Sequence, residues 1–238
     1  GYERELLNLF GLCTIGRDFS SHLASVTASS DLEEVDESIL RADPVYLKAD
    51  QNRVFLVDGQ TMAIEMKEAN QIVSSLNDFF RQDKLTFLVG GKPWRWYLRG
   101  TNACPPEFSS PMAMKGRAME PTLLEMQNMG SLKTLMTEIQ MFLHSSNLNH
   151  GRLEAGNLPI NSLWFWGGDR LSPPVCPEHL PLKVVTDCEL ARCCARYCGV
   201  TDSSGLGSND MIFDSNRSRK GLIILDPTES GIVSEGIQ

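Results

Sequence analysis

The feature that most narrows the possible folds is a change in hydrophobic period part-way along the chain. Leu132, Leu135, Met136, Ile139, Phe142 and Leu143 recur at the spacing of one buried helix face. The run INSLWFW follows at 160–166, then LKVVT, a helical Cys-rich stretch and GLIILD. Continuous apolar strands alternating with helices mark strands covered on both faces, as in parallel sheets. The expectation is an α/β fold whose mostly parallel sheet core occupies residues 121–238.

The chain before this point reads differently. Residues 1–40 give a helix and a Ser- and acid-rich connector, TASSDLEEVDES. The opening GYERELLNLFGL is already helical in pattern, so the expectation is a fragment truncated at its amino end. Over 41–100, VYLKAD and RVFLVDG flank the turn residues QN and predict a hairpin. Ala69, Ile72, Val73, Leu76 and Phe80 predict a helix over 67–81, and LTFLVGG and WRWYLRG predict two more strands. This is a smaller ββαββ unit of α+β type, a helix lying on a mostly antiparallel sheet. Residues 100–120 carry Pro, Gly and Ser without periodicity and read as a linker.

Composition restricts the partners. The net charge is −8 and the acidic residues are spread along the chain. Nucleic acid and anionic membrane surfaces both call for clustered Lys and Arg, so neither is expected. No apolar run approaches the ~18–20 residues of a membrane span. Of seven cysteines, Cys188, Cys193, Cys194 and Cys198 lie together in DCELARCCARYCGV. A metal reading would pair Cys194 with Cys198, helped by Cys188. Structural zinc uses cysteines on turns, whereas these follow helical spacing. They read as small core residues with reduced thiols, which fits a cytoplasmic setting.

The densest chemistry lies in EIQMFLHSSNLNHGRLEAGNLPINSLWFWGGD, residues 138–169. His144 ends the striped helix, where it can bond carbonyl groups or meet a ligand. Asn149 and Arg152 follow in a turn. Arg152 can fork onto a carboxylate or phosphate, or tie the loop to its own carbonyls. Trp164 and Trp166 share one strand face, and Gly167 and Gly168 leave permissive backbone at the strand's carboxyl end. Open α/β sheets bind ligands at that end. The expectation is that His144, Asn149, Arg152, Trp166, Gly167 and Gly168 converge there on a small phosphorylated or anionic ligand. In the competing reading Asn149 and Arg152 only brace the turn near Asn161. Asp43, Asp50 and Asp58 cluster in the first hairpin and read as solvated carboxylates. No G-x-S-x-G elbow or H-E-x-x-H pair is present, so no catalytic residue is assigned.

RADPVYLKAD, WRWYLR, TEIQMFLH and PINSLWFWGG resemble, in order along nearly the whole chain, a family of bacterial phosphoglycerate-mutase-like proteins regarded as hypothetical or regulatory. NSLWFWGG with VVTDCELARCCARYCGV is more weakly similar to the archaeal type of cofactor-independent phosphoglycerate mutase. That resemblance implies an alkaline-phosphatase-like α/β core, two divalent metals and a Ser or Thr nucleophile. The departures are specific. None of His22, His144, His150 and His179 follows a Gly or Asp, as the superfamily's metal motifs require. Tyr46 stands where the family pattern has a histidine, and Ser146, Asn147 and Leu153 replace His, Pro and Glu. His144, Asn149, Arg152 and Gly156 fit the pattern, while Asp169 takes the third position of the Gly run. The implied protein is mutase-like but lacks the metal site, acts in binding or regulation, and shows no evident cofactor. The alternative is a metal-dependent mutase (an isomerase) or a phosphatase whose ligands lie outside this chain.

Overall fold

The first hairpin sets the geometry of everything around it. Strand β1 (Leu40–Asp50) pairs antiparallel with β2 (Arg53–Asp58), from Val45↔Asp58 to Asp50↔Arg53. The computed structural model describes residues 2–12, 19–33, 39–50, 53–100, 109–119, 131–167, 183–203 and 221–224. It divides into two compact units, Glu34–Leu171 and Gly1–Glu33 with Ser172–Gln238.

In the Glu34–Leu171 unit, β1 and β2 lead into α3 (Met66–Phe79), β3 (Thr86–Val89) and β4 (Trp96–Arg99). Short α4 (Pro111–Met114) and β5 (Ala118–Met119) follow, then α5 (Ser131–His144), α6 (Asn147–Glu154) and β6 (Ser162–Trp166). The strands form one sheet of order β3-β4-β1-β2-β5, with β6 on β1 as well. Every pairing in it is antiparallel.

Pro44 lies inside β1, although proline cannot donate to a ladder. The register explains why it is tolerated. β4 covers Leu40 and Arg41, and β2 covers Val45 to Asp50, on the same side of β1. The carbonyl of Val45 accepts from Asn161 on the β6 side, so the nitrogen of Pro44 points the other way. It faces the gap between β4 and β2. Gly59 closes that gap: a Cβ there would lie 2.7 Å from Trp94 Cβ and 3.1 Å from Pro44 O.

Helix α3 buries Ala69, Ile72, Val73 and Leu76, and the adjoining Phe80 packs on Phe87 of β3 with ring centroids 5.7 Å apart. Helix α5 buries Leu132, Leu135, Met136, Ile139 and Leu143. Phe142 is half-buried and meets Phe79 at 5.1 Å between centroids. Three asparagines use their amides as backbone stand-ins. Asn77 bonds both the N–H and the C=O of Phe87, Asn149 those of Ile160, and Asn161 those of Leu47.

The Gly1–Glu33 and Ser172–Gln238 unit holds α1 (Tyr2–Leu9), α2 (Phe19–Asp31) and α7 (Glu189–Tyr197). Its strands β7 (Lys183–Thr186), β8 (Thr201–Ser203) and β9 (Gly221–Ile224) form a parallel sheet of order β8-β7-β9. Cys188, Cys193 and Cys194 are buried, and Cys198 is half-buried.

The expected mostly parallel core is therefore corrected. INSLWFW runs antiparallel to β1, from Arg41↔Trp166 to Val45↔Ser162, and joins the sheet of the ββαββ strands. A continuous apolar strand reports that both faces are covered, which an antiparallel sheet between two layers satisfies equally well. Among the described residues, parallel pairing is confined to the three short strands of the other unit.

Candidate functional site

Alternation in β6 places Trp164 and Trp166 on one sheet face. The register adds Arg41, Asp43 and Tyr97 to that face. Leu40, Ala42, Leu98, Phe87, Leu163 and Phe165 share the opposite face, against which Phe80 packs. One face is thus aliphatic and aromatic, while the other carries a buried charge pair among aromatics.

Arg41 and Asp43 are 4% exposed each. The guanidinium donates from Nη2 to both carboxylate oxygens at 2.8 Å and from Nε to Oδ1 at 3.1 Å. Trp166 Nε1 donates to Oδ2 at 2.8 Å, and the Trp96 backbone N–H donates to Oδ1 at 3.1 Å. Arg41 Cζ lies 4.7 Å from the Trp166 ring centroid and 5.1 Å from that of Tyr97, within cation–π range. Burial pushes the Asp43 carboxyl above its ordinary value, opposed by Arg41, Trp166 and the Trp96 N–H. The carboxylate ties β1, β4 and β6 together at the carboxyl end of β6. Gly167 follows directly, buried and with φ 68°.

The other end of β6 holds a second node. Arg152 is 5% exposed and its guanidinium is filled from three directions. Nε donates to Leu158 O at 2.7 Å, Nη2 to Met62 O at 2.8 Å, and Nη1 to Glu68 Oε2 at 2.6 Å. Asn149, 4% exposed, donates to Leu143 O at 2.8 Å and Ile160 O at 2.6 Å, and accepts from Ile160 N at 2.8 Å. The segment expected as a turn is the short helix α6, closed by Gly156 at φ 77°. Arg152 and Asn149 lash it to α5, to the approach to β6, and to the start of α3.

The expected convergence does not occur. Asn149 and Arg152 sit at the amino end of β6, whereas Trp166 and Gly167 sit at its carboxyl end. At ~3.3 Å per residue that separates Ile160 from Gly167 by roughly 20 Å. His144 is exposed at the end of α5, and Gly168 lies outside the described residues. The bracing reading describes Asn149 and Arg152. All three guanidinium nitrogens of Arg152 already donate to internal acceptors, and its side chain is 4% exposed.

The reading of the hairpin carboxylates is also corrected. Asp50 is exposed, but Asp43 and Asp58 are each 4% exposed. Asp58 Oδ2 accepts from Thr61 Oγ1 at 2.6 Å and Oδ1 from the Thr61 N–H at 2.9 Å, with Lys115 Nζ 3.7 Å away. Burial alone would raise its pKa, but the Thr61 hydroxyl, the Thr61 N–H and Lys115 outweigh it and hold the carboxyl low. The Arg41–Asp43 node had a visible signal. Arg and Asp at i, i+2 put two opposite charges on one face of a strand, and Trp164 and Trp166 repeat that spacing in another. Among the described residues, no group of three or more His, Cys, Asp or Glu is placed to hold a metal ion, and no helix is long and apolar enough to cross a membrane.

No protein-family model matches the sequence, and no curated protein matches it. Among solved structures the chain is weakly similar to a cofactor-independent phosphoglycerate mutase from Thermoplasma acidophilum DSM 1728. The identity is 12% and the TM-score 0.39, over 85% of this chain and 58% of that one. It is also weakly similar to the PH0037 protein from Pyrococcus horikoshii, at 14% identity and TM-score 0.41, over 79% of this chain and 47% of that one. The chain spans about half the length of the solved structures it matches.

Proposed function

We propose that this chain is a phosphoglycerate-mutase-like protein that acts by binding or regulation rather than by turnover. The family comes from the sequence motifs RADPVYLKAD, WRWYLR, TEIQMFLH and PINSLWFWGG. The observation that carries the reading is the use made of Arg152. This residue fits the family pattern and has the chemistry to grip a phosphate, yet each of its three guanidinium nitrogens donates within the chain, to Leu158, Met62 and Glu68. Asn149, which also fits, is spent on Leu143 and Ile160. Residues of the motif thus hold the scaffold, consistent with a mutase-like frame that keeps its architecture without the family's paired histidines. A small phosphorylated or anionic ligand would be taken at groups other than Arg152, in a cytoplasmic setting that keeps the thiols reduced.

The test is an assay for 3-phosphoglycerate mutase turnover with added manganese or magnesium, run beside titrations with inorganic phosphate and 3-phosphoglycerate. The expected result is no turnover above a heat-killed control. Any binding should be equal, molecule for molecule of folded protein, in the wild type and in Arg152→Lys. Turnover abolished by a chelator would overturn the reading in favour of a metal-dependent mutase or phosphatase.

A further inference from the structure

We draw no further inference here: the strongest candidate, the carboxyl end of strand β7 where helix α7 begins near the buried Ser203 hydroxyl, is a helix N-terminus already flanked by Asp187 and Glu189, and nothing in the structure aims that hydroxyl toward it.

Discussion

Replacing Arg152 with alanine tests whether the guanidinium is a brace. The side chain is 4% exposed, and its three bonds reach α3, the turn before α3 and the segment leading to β6. Breaking a buried ion pair by removing one partner costs about 3–5 kcal/mol. The Glu68 side chain is 20% exposed and can recover water once its partner is gone, which argues for the lower end. The Met62 carbonyl is buried and loses this donor at about 1–3 kcal/mol, whereas Leu158 is 42% exposed and its carbonyl can turn to water. The expected loss is about 4–6 kcal/mol, the lower-end pair cost plus the one buried carbonyl. Arg152→Lys keeps the charge opposite Glu68 but cannot span both carbonyls, so about half of that loss should remain. The four tryptophans, Trp94, Trp96, Trp164 and Trp166, all lie in the Glu34–Leu171 unit, so their fluorescence reports the unfolding of that unit in urea. With a slope of about 1–3 kcal/mol/M, the alanine midpoint should fall by about 1 M or more while the slope holds. A midpoint unchanged in Arg152→Ala would refute the bracing role, because a solvated arginine at an empty anion site can be removed at little cost.

Asp43→Asn removes the carboxylate that the buried Arg41 grips and should cost about 3–5 kcal/mol, measured by the same urea titration; a variant as stable as wild type would show that the pair is not coupled. Asp58 ionises more readily when folded, so its contribution to stability is present above the ordinary carboxylate value of about 3.9 and is lost as pH falls through the lower folded value. Thr61→Val removes the hydroxyl donor and should shift acid unfolding to higher pH, which circular dichroism against pH will detect. Gly59→Ala forces a Cβ to 2.7 Å from that of Trp94 and should destabilise by about 1–3 kcal/mol in thermal melts, unless the turn shifts.

How much of this was legible in the sequence differs by element. The striped helix was legible because five of its apolar positions, Leu132, Leu135, Met136, Ile139 and Leu143, are those that α5 buries. The first hairpin was legible because turn residues and alternation act locally. The direction of β6 was not, since SLWFW states only that both faces are covered, and strand direction depends on a partner 120 residues earlier in the chain. Arg152 illustrates the same limit. Its chemistry fits an anion or a carbonyl equally, and the choice rests on Met62 and Glu68, brought near by folding. Arg41 and Asp43 could have been found: a strand that buries its flanks forces an i, i+2 charge pair to find its partner within itself.

The bond between Asn77 and Phe87 also bears on what the sheet can become. Among the described residues β3 ends the strand order, and the N–H and C=O of Phe87 turn outward, away from β4. Such an exposed edge is a template on which a strand from another molecule can build. In four residues, only Phe87 and Val89 present backbone groups in that direction. The amide of Asn77 takes both groups of Phe87, at 2.7 and 2.9 Å, leaving Val89 without a neighbour to extend a ladder. The helix packed over the strand therefore also stops the sheet from growing there, so that two copies meeting at this end would find side chains to contact but no consecutive backbone sites to zip.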